Sequence, residues 1–354
     1  MQSIESNIYM TKSQYTIHDL ARMLGVSAST ISRALKDDPR ISKKTKEKVR
    51  KLAAELKYEP NILASQLRLG KSTTVGVIVP RLNRFFFSNV ISGMEEILSQ
   101  NGYNVMICQT DESYEREVEA IKALINNRVC GVFASIAAGS KNFDHFNLLK
   151  RHEIPHIFFD RVIYGSNVST VTVDDHLGAF QATTHLIHQG YKKIFHFCGP
   201  AHLECYKERE RGYRDAMKQN RLEVTDNMVV RGVLTIDDAV TATLKVLKMK
   251  KPPEAIFCSG AYSALGVVEA LKKNNILIGK DFGVMGFSYE KFASYITPTL
   301  STVDQNSMEM GRVTAKLFLE DLKNKGEAVP RKIILEPKLF LGKSSLKNNS
   351  NTVV

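Results

Sequence analysis

Apolar residues in the first 60 positions recur at helical spacing in three short groups. Each group follows a residue that caps helices well, and a glycine suited to the left-handed backbone of a helix end follows the first group. The capping residues are Thr16, Ser27 and Ser42, the glycine is Gly25, and the apolar stripes are Ile17/Leu20/Ala21/Leu24, Ile31/Ala34/Leu35 and Val49/Leu52/Ala53/Leu56. Three helices with a tight glycine turn between the first two predict a helix-turn-helix headpiece over residues 16–59.

From Thr74 onward, short apolar runs alternate with amphipathic stretches. Such an alternation predicts an α/β core with buried parallel sheets and helices on both faces. About 270 residues is long for one open sheet, so we expect two similar doubly wound subdomains. The predicted strands are 75–79, 105–108, 129–133, 156–159, 194–197, 255–258 and 282–287, and the predicted helices are 91–100, 115–126, 178–189, 211–220, 237–248, 264–273 and 308–323.

The domain boundaries follow from these patterns. Between headpiece and core, residues 60–71 form a segment too short to be a stable helix alone, and we interpret it as a conditional hinge helix. The core is predicted over residues 72–343, with one subdomain at about 74–173 plus 303–328 and the other at about 174–302 plus 329–343. Residues 1–15 and 344–354 are polar, and we expect a disordered lead and a disordered tail.

Charge is concentrated at the amino end. The chain has 354 residues and a net charge of +12, and residues 1–71 hold 14 basic against 7 acidic side chains. A polyanion partner and a merely solvated basic face both explain this excess. Five scattered cysteines without a Cys-x-x-Cys pair predict reduced thiols and no zinc site. The lack of a long apolar run and of a signal core predicts a cytoplasmic protein without a membrane partner.

The motifs resemble one known family. Thr16-Ile17-His18-Asp19-Leu20-Ala21, Gly25 to Leu35, Tyr58-Glu59-Pro60-Asn61 and Val75 to Pro80 match the signature of the lactose-repressor (LacI/GalR) family, and the match extends to about Gly342. The resemblance implies a DNA-binding headpiece, a hinge helix and a core of two periplasmic-binding-protein-like subdomains that clamp a small effector. It also implies homodimers on near-palindromic operators in double-stranded DNA.

The resemblance and the helix positions together indicate which residues contact DNA. The second helix is expected to enter the major groove, where Arg33 pairs with a guanine edge or, alternatively, contacts phosphate or is a solvated side chain. Leu67 matches the leucine that wedges into the minor groove, although ordinary packing between two hinges also explains it. Lys43, Lys44, Lys46 and Lys48 either contact phosphates or form a plain charged helix face. The predicted DNA-binding residues are Thr16, Ser27, Ala28, Ser29, Thr30, Ser32, Arg33, Asn61, Ala64 and Leu67.

The same resemblance indicates an effector cleft between the subdomains, at the carboxyl ends of their strands. The predicted cleft residues are Asn83, Phe85, Phe86, Asp160, Arg161, Arg209, Ser288 and Gln305. Two departures from the family pattern stand out: Gly260-Ala261 replaces Asn-Asp, and Gly286-Phe287-Ser288 replaces a motif ending in aspartate. Both changes remove carboxylates that grip sugar hydroxyls. With two arginines present, a phosphorylated or acidic sugar becomes a hypothesis beside a neutral one.

The resemblance implies a sequence-specific transcriptional regulator whose operator affinity is set by a small-molecule effector, which we expect to be a sugar or a sugar derivative. Repression is the family's commoner outcome, so we expect a repressor, with a ligand-dependent activator as the alternative. A sugar-binding protein without a DNA function would leave the headpiece without a purpose. An enzyme is disfavoured because nucleotide-binding and nucleophile motifs are missing and the nine histidines lack metal-ligand spacing. We therefore expect no catalytic residue, cofactor or metal.

Overall fold

The structure is a computed structural model that describes residues 15–58, 72–324 and 329–347. The chain divides into two compact units, Met1–Ser72 and Thr73–Val354. The predicted hinge contacts Asn61, Ala64 and Leu67 lie outside the described residues, as do most of the predicted lead and tail. No helix among the described residues is both long and apolar enough to cross a membrane.

The first unit is the headpiece, and its three helices begin where the caps predict. They are α1 (Ile17–Leu24), α2 (Ala28–Leu35) and α3 (Lys43–Glu55). Thr16 and Asp19 form a reciprocal capping box at α1, and Gly25 ends that helix with a φ of 62°. Leu20, Ile31 and Val49 are fully buried and form the centre of the headpiece's own small core. The predicted helix-turn-helix is confirmed.

The second unit contains two lobes, each built on a six-stranded sheet. Lobe 1 has the strand order β11-β5-β4-β3-β1-β2, with all strands parallel. Its strands are β1 (Thr74–Val79), β2 (Asn104–Gln109), β3 (Gly131–Ala134), β4 (His156–Phe159), β5 (Thr170–Val173) and β11 (Lys332–Leu335). Its helices are α4 (Phe85–Gln100), α5 (Tyr114–Asn126), α6 (Asn147–Arg151) and α11 (Ser307–Lys323).

Lobe 2 repeats this plan with the order β12-β10-β9-β8-β6-β7, in which only the β10–β12 pair is antiparallel. Its strands are β6 (Ile194–Cys198), β7 (Val229–Arg231), β8 (Ala255–Cys258), β9 (Gly283–Phe287), β10 (Ser301–Asp304) and β12 (Lys338–Phe340). Its helices are α7 (Asp175–His188), α8 (Glu204–Gln219), α9 (Ile236–Leu247) and α10 (Ala261–Lys273). The predicted pair of doubly wound subdomains is confirmed.

The chain crosses between lobes three times: after β5, after β10 and between β11 and β12. Two predicted subdomain boundaries were therefore wrong. Residues 303–304 belong to lobe 2 because they complete β10 beside β9. Residues 332–335 belong to lobe 1 because β11 pairs with β5, and only 338–340 return to lobe 2.

The predicted tail also begins too early. Ser344 and Ser345 are fully buried in a 3-10 turn, and the Ser344 hydroxyl donates to the Val284 carbonyl at 2.7 Å while accepting from the Ser301 amide. Serine composition suggested disorder, but the Ser344 hydroxyl satisfies backbone groups of β9 and β10, and the Ser345 hydroxyl bonds the side chains of Ser301 and His185. The ordered core therefore continues to Lys347.

Glycines let the helices of each lobe approach closely. A Cβ added to Gly93 of α4 would collide with the Met308 carbonyl oxygen of α11, and one added to Gly311 would collide with the Val90 carbonyl oxygen of α4. Gly212 plays the same part where α8 crosses α7. These backbone contacts fix the helices that frame the sheets, and hence the strand ends between them.

Candidate functional site

The first candidate surface is the amino end of α2. The Ser27 hydroxyl caps this helix by accepting from the Thr30 amide at 3.2 Å, and it lies 2.8 Å from the Ser29 hydroxyl. Ser29 and Arg33 are exposed, Thr30 and Ser32 are half-buried, and Ala28 is half-buried against the headpiece core. The structure thus brings these predicted DNA-binding side chains onto one helix, with Ser27 engaged in capping. Thr16, predicted with them, caps α1.

The basic residues of α3 divide into two kinds. Lys43, Lys44 and Lys48 are exposed. Lys46 is half-buried, and its ammonium lies 3.1 Å from the Asp37 carboxylate, which also accepts from Arg50 at 2.8 Å. Three of the four predicted phosphate contacts therefore face solvent, whereas Lys46 supports the loop between α2 and α3.

The second candidate site is a cavity of about 300 Å³ between the two lobes. This volume is at the lower end of what small-molecule sites enclose, and suits a single small ring compound. The side chains come from the segments that follow strands of both sheets, where parallel α/β folds bind ligands. The lining is Arg81, Arg84, Phe86, Phe87, Glu112, Asp160, Arg161, Cys205, Tyr206, Arg209, Gly232, Leu234, Thr235, Asp238, Ser259, Gly260, Ala261, Tyr262, Ser263, Ser288, Glu290 and Gln305.

Asp160 and Ser288 occupy matching places in the two lobes, directly after β4 and β9. Both have left-handed backbones, with φ of 57° and 72°. Non-glycine residues in this region are uncommon and concentrate at ligand sites. Asp160 is buried, which raises the pKa of its carboxyl, and it accepts from the Gln305 amide and the Ser135 hydroxyl at 3.3 Å each. These long bonds leave the Asp160 carboxyl able to accept from a ligand.

Arg161 belongs to lobe 1 and forms hydrogen bonds with residues of both lobes. Its guanidinium donates to the Glu112 carboxylate at 2.7 Å, and its other terminal nitrogen donates to the Tyr206 hydroxyl of lobe 2 at 3.3 Å. Burial alone would raise the pKa of Glu112, but Arg161 and the Ala138 amide outweigh burial and the pKa is lowered. Arg161 therefore carries its positive charge beside an ionised partner.

Arg209 is the corresponding group of lobe 2. It is 4% exposed and donates to Asp175 at 2.8 Å and to the Ser259 carbonyl at 2.7 Å, with its guanidinium 3.8 Å from the centre of the Phe287 ring. Burial raises the pKa of Asp175 even beside this arginine. Both predicted cleft arginines are thus compensated by carboxylates of the chain itself.

The structure brings six of the eight predicted cleft residues into the lining: Phe86, Asp160, Arg161, Arg209, Ser288 and Gln305. Asn83 and Phe85 do not line the cavity. Helix α4 starts at Phe85, six residues earlier than predicted, which turns the Phe85 ring toward Tyr289 at 6.2 Å between ring centres. Asn83 instead offers its carbonyl to the Tyr262 hydroxyl at 3.4 Å.

Sequence reasoning missed the polar lining residues Arg81, Glu112, Tyr206, Asp238, Tyr262 and Glu290. A signal was available for Arg81, Glu112 and Glu290, because each follows the end of a strand within a few residues. Tyr206, Asp238 and Tyr262 lie in first turns of helices that open onto the same end of lobe 2.

The combined lining can accept and donate hydrogen bonds around a small polar ring, with the faces of Phe86 and Tyr206 available for packing. Within residues 15–58, 72–324 and 329–347, His, Cys, Asp and Glu side chains form no group able to hold a metal ion.

Comparison with known proteins identifies both units. A family model described as "Bacterial regulatory proteins, lacI family" matches residues 16–61, and one described as "Periplasmic binding proteins and sugar binding domain of LacI family" matches residues 72–343. The HTH-type transcriptional repressor PurR of Vibrio atlanticus (strain LGP32) is 31% identical over 311 residues, covering 88% of this chain and 92% of the relative.

Two solved structures have the same fold. The lac repressor dimer bound to operator and the anti-inducer ONPF matches with a TM-score of 0.83 at 23% identity, covering 94% of this chain and 100% of that one. A periplasmic binding protein/LacI transcriptional regulator from Alkaliphilus metalliredigens QYMF, complexed with D-xylulofuranose, matches with a TM-score of 0.67 at 25% identity, covering 77% and 99%.

Proposed function

The chain belongs to the LacI family of bacterial regulatory proteins, and from this premise we propose that a small neutral effector in the inter-lobe cavity controls its affinity for operator DNA. The chain is a DNA-binding transcriptional repressor with a ligand-binding core. Control by an effector, the class of effector, assembly as a homodimer, and action on a near-palindromic site in the bacterial cytoplasm are our proposals.

For the headpiece, we propose that the amino end of α2 reads bases in the major groove, with Ser29 and Arg33 as the reading side chains. Both are exposed on the same helix, whereas Ala28 is half-buried and can offer only its methyl group. Ser27 is engaged as a helix cap, so its contribution is to orient α2. Asn61, Ala64 and Leu67 keep their proposed hinge roles.

For the effector, the pairing of the two buried arginines supports a neutral ligand. The acidic-sugar hypothesis needs positive charge that is free to meet an anion. The two buried lining arginines do not supply it, because Arg161 is held by Glu112 and Arg209 by Asp175. Arg84 lies over the Tyr262 ring, which leaves Arg81 as the lining arginine that a phosphate could meet. At the two buried arginines, a phosphate would have to displace the carboxylates or enter beside them. We therefore favour a neutral polyhydroxylated ring that donates to Asp160 and packs against Phe86 or Tyr206. The D-xylulofuranose bound by the structural relative is a compound of this class.

The DNA half of the proposal is tested by fluorescence anisotropy of the full chain on fragments of its own upstream region. We expect Arg33→Ala to lower specific affinity about tenfold or more, because a bidentate contact to guanine contributes about 1–3 kcal/mol. Arg211→Ala is the matched control, since Arg211 is an exposed arginine of the core paired with Glu208. Equal affinity of wild type and Arg33→Ala at every salt concentration would contradict base reading by α2.

The effector half is tested by calorimetry of the full chain against neutral pentoses and hexoses, their phosphates and purine bases. We expect a neutral sugar to bind, and Asp160→Asn to weaken it at least tenfold while its phosphate ester binds no better. Binding of phosphorylated sugars alone would restore the acidic-sugar hypothesis, and binding of purine bases alone would replace the sugar class.

The direction of regulation is tested with a reporter gene. Deleting the regulator's gene is expected to raise expression from the operator it binds. A fall in expression would favour the alternative of a ligand-dependent activator.

A further inference from the structure

Helix α4 of lobe 1 is capped by the opposite lobe. Its N-cap residue is Arg84, which makes no side-chain cap because a guanidinium has only donors to offer. The amides of the first turn need an acceptor. Glu290 of lobe 2 supplies one, since its carboxylate accepts from the Phe85 amide at 3.1 Å and also bonds the Phe86 amide. Glu290 is only 5% exposed.

Two further contacts join the same segments. The Arg84 guanidinium lies 3.4 Å from the centre of the Tyr262 ring, a close cation–π arrangement between the lobes. The Tyr262 hydroxyl donates to the Asn83 carbonyl at 3.4 Å and lies within reach of the Glu290 carboxylate. We call this group the mouth latch: Asn83, Arg84 and Phe85 from lobe 1, with Tyr262 and Glu290 from lobe 2.

The latch also borders the cavity. Arg84, Tyr262 and Glu290 belong to its lining, so a ligand inside can touch the residues that join the lobes. A hydroxyl or amine of a ligand can donate to the Glu290 carboxylate and so compete with the α4 amides. The cavity and the mouth latch thus share the Glu290 carboxylate.

We propose that the mouth latch holds the two lobes together through the chain's own contacts, and that the effector regulates by taking Glu290 away from α4. The lobes are then already closed before the ligand binds, and the ligand opens or twists them instead of drawing them together. The first half of the proposal, that the latch joins the lobes, concerns the core alone. The second half, that the effector regulates by breaking the latch, rests on the proposed function. An effector that breaks the latch is an inducer, which releases the repressor from DNA.

Hydrogen exchange measured by mass spectrometry on the full chain, with no ligand added, tests the first half. Replacing Glu290 with alanine is expected to raise exchange about tenfold on both sides of the mouth, in residues 83–88 and in the first turn of α10. Glu290→Gln keeps a carbonyl acceptor, and a smaller rise is expected. The matched control is Ser113→Ala, which removes a helix cap that lies wholly within lobe 1. That variant should raise exchange only in α5.

An exchange increase confined to residues 85–88 in Glu290→Ala would overturn the latch, because it would show fraying of α4 without separation of the lobes. The latch is also overturned if Ser113→Ala raises hydrogen exchange in the first turn of α10 as much as Glu290→Ala does. Should Glu290→Ala fail to fold, Arg84→Ala and Tyr262→Phe weaken the latch from either lobe. Each must then raise exchange on both sides, and a one-sided change again overturns the proposal.

Anisotropy on operator DNA tests the second half. Coupling between sites commonly changes affinity by about 5–150-fold, so Glu290→Ala without any ligand should bind operator at least fivefold more weakly than wild type. Unchanged affinity with a two-sided exchange increase would refute regulation through the latch. If wild type itself binds no DNA while the exchange result holds, the proposed function fails and the latch stands.

Discussion

Arg209→Met removes a buried charge while keeping most of the side-chain volume. The wild-type guanidinium donates to Asp175 and to the Ser259 carbonyl and packs on the Phe287 ring. Methionine can still contact the Phe287 ring but cannot compensate Asp175, whose carboxylate is 8% exposed. The variant therefore leaves an isolated carboxylate inside lobe 2.

The magnitude follows from two routes that agree. Breaking one side of a buried ion pair typically destabilises a protein by about 3–5 kcal/mol. Alternatively, Asp175 can take up a proton in the folded variant. Relative to wild type, where burial already raises the pKa of Asp175 to about 7, holding that proton costs about 1.4 kcal/mol for each pH unit above 7, hence about 3 kcal/mol at pH 9. We expect the lower of the two costs to apply at each pH.

The sign of the pH dependence follows from proton release. In the variant, Asp175 is protonated when folded and ionised when unfolded above a pH of about 4, so unfolding releases a proton and rising pH favours the unfolded chain. Burial raises the pKa of Asp175 to about 7 in wild type as well, so both proteins hold the proton below that pH, and the penalty of Arg209→Met should grow only as the pH rises above about 7.

Urea unfolding of wild type, Arg209→Met, Asp175→Asn and the double variant at pH 7, 8 and 9 measures these effects. The double variant should recover most of the loss at pH 9, because no charge is then buried alone. Arg211→Ala, which breaks an exposed pair with Glu208, should change the unfolding free energy by less than about 1 kcal/mol. A penalty equal at pH 7 and pH 9, or a double variant no better than Arg209→Met, would refute the reasoning.

Three further outcomes are expected. Gly93→Ala should destabilise the core by about 1–3 kcal/mol or more in urea unfolding, because its Cβ would collide with the Met308 carbonyl and force α4 from α11. Burial lowers the pKa of His196 to about 4. The free energy of unfolding should therefore fall by up to about 1.4 kcal/mol per pH unit as the pH falls from about 6.5 to 4. His196→Phe should flatten that dependence. Thr16→Ala should destabilise the headpiece by about 1 kcal/mol, seen as a lower melting temperature of its helical signal.

Local chemistry made the headpiece predictable from sequence. Thr16, Ser27 and Ser42 each cap the helix that follows, and Gly25 adopts the left-handed backbone that ends α1. These signals depend on neighbours within four residues, so no knowledge of distant contacts is needed. The capping box partner Asp19 follows the same local logic.

Strands were predictable only where a continuous run of apolar residues marked them in the sequence. Seven of the predicted runs match strands, but five others, β5, β7, β10, β11 and β12, were not predicted. β5 has the sequence Thr-Val-Thr-Val and is buried along its whole length, but its threonines interrupt the apolar run that would have predicted a strand. β11 and β12 are edge strands with exposed lysines, whose placement depends on which sheet the chain returns to.

Only some of the residues that line the cavity could be predicted from the sequence, for a related reason. Asp160 and Arg161 directly follow a recognisable strand, so their place at a sheet's carboxyl end could be read. Glu290 and Tyr262 matter because they meet Arg84 and Phe85 from the opposite lobe. That meeting depends on how two sheets face each other, which no local pattern encodes.

The triple crossing between lobes has a genetic consequence. Neither lobe is encoded by one uninterrupted stretch of the gene, since lobe 1 ends with 332–335 and lobe 2 ends with 338–347. A premature stop codon anywhere before position 332 removes an edge strand from both sheets at once. A single crossover with a paralogue anywhere before position 332 likewise exchanges parts of both halves, because everything downstream of it includes β11 and β12.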